Sequence, residues 1–71
     1  MSEQVRINGV VVFAYAQDER LRVSLDDWER LGLVPGQQVT LEGQGRLLLV
    51  GADEHPPFVW LRFQSLTRHA S

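Results

Sequence analysis

Residues 24–43, SLDDWERLGLVPGQQVTLEG, decide the fold. They predict a helix of about two turns that stops hard and leaves at once as a strand. Ser24 stands where a hydroxyl caps a helix start, and Asp27, three residues on, completes a short form of the capping box. Asp26, Asp27 and Glu29 place negative charge at the start, where the helix dipole favours it. Leu25, Trp28 and Leu31 share one narrow stripe to bury. Gly32 suits the left-handed conformation that ends a helix, and Leu33 supplies the apolar contact back onto the last turn. Pro35-Gly36 then fits the central positions of a type II turn. A helix so short is a plug between strands, not a bundle element.

The flanks are strand-like. VRINGVVVFAYA, residues 5–16, is rich in β-branched and aromatic types and reads as one strand. The two-residue period places Val5, Ile7, Val11, Phe13 and Tyr15 on one face and Val10, Val12, Ala14 and Ala16 on the other. Gly9 marks a bulge or tight bend within it. Gln17, Asp18 and Glu19 form a polar turn. RLRVSL follows, with Leu21, Val23 and Leu25 inward and Arg20, Arg22 and Ser24 outward. Beyond the helix, Val39 and Leu41 alternate with Gln38, Thr40 and Glu42. Glu42-Gly43-Gln44-Gly45 is a hairpin turn, and RLLLV returns as a strand. Gly51 to Pro57 reads as a loop, because Pro56 and Pro57 interrupt regular structure. FVWLRF is the last strand, with Phe58 and Trp60 on one side and Val59, Leu61 and Phe63 on the other. The tail QSLTRHAS lacks a period and is expected to fray, disordered from about residue 65 to 71. The order ββαβββ means a mainly β fold, a small barrel with one short helix, in one domain over residues 1–71.

Composition limits what such a domain can be. A chain of 71 residues buries only about 60% of its unfolded surface, so a lone core is marginal. Small domains compensate with disulfides, a metal or a partner. With no cysteine, disulfides and thiolate metal sites are excluded, and His55 and His69 are too few for a structural zinc cage. A homodimer that completes the barrel is therefore expected. No apolar run approaches the ~20 residues that span a membrane. The start MSEQVRING lacks the features of a signal peptide, so a cytoplasmic location is expected. All seven basic residues are arginine against a net charge of −2. Arginine forms bidentate forks with phosphate and carboxylate, whereas the negative total argues against broad non-specific binding to nucleic acid.

Residues 20–50, RLRVSLDDWERLGLVPGQQVTLEGQGRLLLV, resemble the cradle-loop barrels, and in particular the swapped-hairpin domain of AbrB- and MazE-type regulators. Arg22-Val23-Ser24-Leu25 matches the entering strand and Asp26 to Leu31 the helix. Leu31-Gly32-Leu33-Val34-Pro35-Gly36 matches the family turn, and Val39 to Leu41 with Arg46 to Val50 the closing hairpin. Double-psi barrels and SH3-like FeoA domains carry a similar turn. The chain departs from the regulators at Leu25-Asp26, where proline is usual, at Asp18-Glu19-Arg20, where glycine and basic residues are usual, and in its extra strand FVWLRF. The resemblance implies a dimer of exchanged hairpins whose first-hairpin arginines meet double-stranded DNA. Carried over, these are Arg20 and Arg22, with Arg6 nearby.

Enzymatic signatures are missing. No serine sits in a nucleophile elbow, and phosphate-loop and dinucleotide fingerprints are lacking, so no cofactor is expected. Asp53, Glu54 and His55 are consecutive, and consecutive side chains point apart; a solvated loop accounts for them better than a metal site. Two readings remain open. One is a non-enzymatic DNA-binding regulator or antitoxin-like dimer using Arg6, Arg20 and Arg22. The other is a protein-interaction or structural-subunit module that docks another protein. In both, Phe13, Tyr15, Phe58, Trp60 and Phe63 are the expected dimer or partner interface, since base stacking would want interleaved basic residues and Arg62 is the one that interleaves.

Overall fold

The computed structural model describes residues 2–66. Six strands close into an antiparallel barrel: β1 (Glu3–Ile7), β2 (Val10–Gln17), β3 (Arg20–Ser24), β4 (Gln38–Leu41), β5 (Gly45–His55) and β6 (Phe58–Ser65). One helix, α1 (Leu25–Leu31), separates β3 from β4. Around the barrel the order is β1-β2-β3-β6-β5-β4, and β1 meets β4 of the same chain at Ile7 and Leu41. Mainly β, a small barrel and one short helix all hold. Closure occurs within one chain, and the order is βββαβββ.

The additional strand comes from residues 5–16, which are two strands and not one. Asn8 and Gly9 both adopt positive φ, 52° and 82°, as the two central residues of a tight hairpin turn require. A two-residue turn reverses the alternation, so Val5 stands opposite Val12 and Ile7 opposite Val10. Ile7, Val12 and Ala14 therefore point inward together, and Phe13 is 62% exposed on the outer face. The expected grouping of Ile7 with Phe13 is corrected accordingly.

Residues 51–57 are likewise not a loop. β5 continues to His55, and only Pro56 and Pro57, joined by a cis peptide bond, make the turn into β6. Leu49 pairs with Phe63 and Gly51 with Arg62, which leaves Val50 as an unpaired bulge residue. Gln64 and Ser65, expected to fray, belong to β6, and the Leu66 N–H donates to the Arg46 carbonyl at 3.2 Å. The remaining tail, with His69, lies outside the described residues.

The opening stretch forms the helix and turn as read, except that the Asp27 carboxylate accepts from the Phe13 N–H and from Arg30 instead of closing a capping box. Ser24 Oγ accepts from the Asp27 N–H at 3.1 Å, and Gly32 is left-handed with φ 63°. Gln37 N–H donates to the Val34 carbonyl across Pro35-Gly36 at 3.2 Å. Because β3 and β4 are not neighbours, their connection must cross one end of the barrel. Leu25, Trp28 and Leu31 pack there against the core, and Leu33 is buried within it. The core itself is Ile7, Val12, Val23, Val39, Leu49, Val59 and Leu61, all fully buried aliphatics from the six strands. Among the described residues no helix is long and apolar enough to cross a membrane.

Candidate functional site

The outer face of β2, β3 and β6 carries most of the residues singled out in the sequence. β3 lies between the other two, so its outward residues Arg20 and Arg22 each have a partner on either side. Arg22 stands between Tyr15 and Trp60, and Arg20 between Gln17 and Arg62. One row further, Ser24 faces Phe58. The result is a column of arginine flanked by aromatic rings.

The side chains converge as the register requires. The Arg22 guanidinium lies 4.1 Å from the Phe58 ring centroid, 5.0 Å from Tyr15 and 5.9 Å from Trp60. Arg20 approaches the Trp60 ring at 5.5 Å. Stacking a guanidinium on a ring engages its flat face, while its five N–H donors lie in the plane and stay available. Among the described residues, Arg20, Arg22 and Arg62 have no ion pair with a carboxylate; the ion pair there is Arg30–Asp27 at 2.9 Å. Asp53, opposite Trp60 on β5, is the acidic group of the same outer row. Arg62 crosses over Gly51, where a Cβ would stand 2.5 Å from its Nη2. The missing side chain at Gly51 thus leaves room for the guanidinium.

The other expected residues are placed elsewhere. Arg6 is on the outer face of β1 opposite Val11, in a polar cleft of about 210 Å³ with Gln4 and Glu42. Two strands and four residues separate it from Arg22, about 10 Å across and about 13 Å along the sheet. Phe13 shares the outer face but stands two strands from Phe58. Phe63 points inward; with Ala16, Leu21, Leu41 and Leu47 it lines an apolar cavity of about 450 Å³ at the barrel end opposite α1. Among the described residues, no group of three or more histidine and acidic side chains is placed to hold a metal ion.

Arg62 is the member that sequence reasoning undervalued, and the joining of arginines to aromatics was missed altogether. RLR and FVWLRF each showed an outward set, but nothing local says that these strands are neighbours. Compared with protein-family models, curated proteins and solved structures, the chain returns no match.

Proposed function

We propose that the chain is a non-enzymatic nucleic-acid-binding module acting through the outer face of β2, β3 and β6. The observation that carries this reading is the set of three arginines, free of carboxylate partners among the described residues, interleaved with Tyr15, Phe58 and Trp60. Guanidinium groups recognise phosphate, and ring faces accept bases or sugars. The resemblance to the AbrB- and MazE-type regulators supports the same hairpin, since Arg20 and Arg22 belong to it. A homodimer would double the patch and offset the net charge of −2. A transcription-regulating role in the cytoplasm is the form of the proposal that this resemblance favours.

Fluorescence anisotropy with random-sequence nucleic acid, at low and moderate salt, tests the reading. Binding should weaken as salt rises, and Arg22→Ala should lower both the affinity and the salt slope, the latter by about one. Failure to bind at low salt would defeat it. A second reading, docking of another protein, is favoured by the exposure of Phe13 at 62% and Val34 at 61%.

A further inference from the structure

We infer that the ligand of this face is a single-stranded polynucleotide rather than a duplex. The inference rests on the nucleic-acid reading above and narrows it. Phe58 and Trp60 are same-face neighbours two residues apart on β6, with their Cα atoms about 7 Å apart along the strand. Within one strand of a duplex, successive bases rise only about 3.4 Å. A base resting on each ring is therefore unstacked from its neighbour, a state that single strands reach and duplexes do not.

The shape of the face leads to the same ligand. A major groove admits a helix or a two-stranded ribbon. Here Arg20 and Arg22 occupy the central strand of three, Arg62 lies on the flanking β6, and the sheet continues on both sides into the barrel wall. Among the described residues the one helix has seven residues and is committed to the barrel end. Rings on such a broad surface cannot reach base edges, but they can receive bases splayed from a single strand.

Charge and ring positions are complementary to such a chain. Arg20 and Arg22 form the central column, with Phe58 and Trp60 to one side and Tyr15 to the other. Phosphates lie along the guanidinium column, where the Arg22 guanidinium carbon sits 4.1 Å from the Phe58 ring centroid and a fork of N–H donors suits phosphate. Bases fall to the flanks. DNA and RNA strands share the phosphates and bases that this face would engage.

The experiment titrates the full chain with labelled oligothymidylate, oligouridylate and a hairpin-closed duplex of mixed sequence. Single strands should bind at least tenfold more tightly than the duplex, and Trp60→Ala should weaken single-strand binding by about tenfold. Arg62→Ala, at an exposed position, should lower the salt slope with the fold intact. Circular dichroism confirms folding of each variant, and Trp60→Phe, which keeps a ring, should retain most of the affinity. A preference for oligouridylate over oligothymidylate, or the reverse, identifies which strand is the source and supports the inference. Equal or tighter duplex binding that ignores Trp60→Ala would overturn it while leaving the nucleic-acid reading standing. No binding to any of the three probes at low salt would overturn both.

Discussion

Asp18 and Glu19 both hold positive φ, 53° and 62°, in the two-residue turn between β2 and β3. The turn geometry demands it, yet neither residue is the one that adopts it most readily; Asn-Gly is preferred there. Replacing Asp18→Asn together with Glu19→Gly should raise stability by about 1 kcal/mol. A higher denaturant midpoint at unchanged slope is the expected readout. Ser24→Ala removes the acceptor that caps α1 and should cost about 1 kcal/mol by the same measurement. Gly51→Ala probes the site itself. Gly51 pairs within a strand at ordinary φ, so the backbone tolerates alanine, but the new Cβ displaces the Arg62 guanidinium. Stability should stay within about 1 kcal/mol of the parent while single-strand affinity falls. At this scale most of the helix was legible. Ser24, Gly32 and Pro35-Gly36 act through neighbours three or four residues away, and such signals survive in a bare sequence.

α1 also works as a substitute for strand. β3 stops at Ser24, leaving the far part of β2 without a partner on that side. Asp27 Oδ2 accepts from the Phe13 N–H at 3.4 Å, and Arg30 Nη2 donates to the Val11 carbonyl at 2.7 Å. The two side chains pair with each other at 2.9 Å, so the helix satisfies the edge that the strand abandoned. Asp27→Ala should destabilise by about 1–2 kcal/mol, since it removes an ion pair and an edge acceptor together, while the backbone N–H that Ser24 caps is kept. A double-mutant cycle with Arg30→Ala should show coupling; additive losses would contradict a shared role. Element boundaries were less legible than caps. Asn8-Gly9 is a strong hairpin signal, but it sits inside an apolar run, and counting alternation straight through it assigned Phe13 to the wrong face. Pro56 and Pro57 were read as ending a strand well before them, whereas they occupy only the turn. The bulge at Val50 has no local signature; pairing with β6 imposes it.

Closure of the barrel depends on its shortest seam. Between β1 and β4, Asn8 N–H donates to the Thr40 carbonyl and Asn8 Oδ1 accepts from the Thr40 N–H, both at 2.8 Å. The Glu42 N–H donates to the Arg6 carbonyl at 3.0 Å. Asn8→Ala removes one of these bonds and a residue tolerant of positive φ, and should cost about 1–2 kcal/mol. Hydrogen exchange should quicken first at Thr40 and Glu42, ahead of β5 and β6. This seam, like the neighbouring of β3 and β6, joins residues far apart in the chain, and periodicity carries no signal for it. Barrel and plug could be read from local pattern, but the arginine–aromatic face could not, because it exists only once β3 lies between β2 and β6. The direct test of that face is to titrate the isotopically labelled chain with oligothymidylate and follow its amide, Trp indole and Arg Nε signals by NMR. Shifts confined to Tyr15, Arg20, Arg22, Phe58, Trp60 and Arg62 are expected. Shifts centred instead on Arg6 and Glu42, or on Leu47 and Phe63 at the open barrel end, would contradict the account.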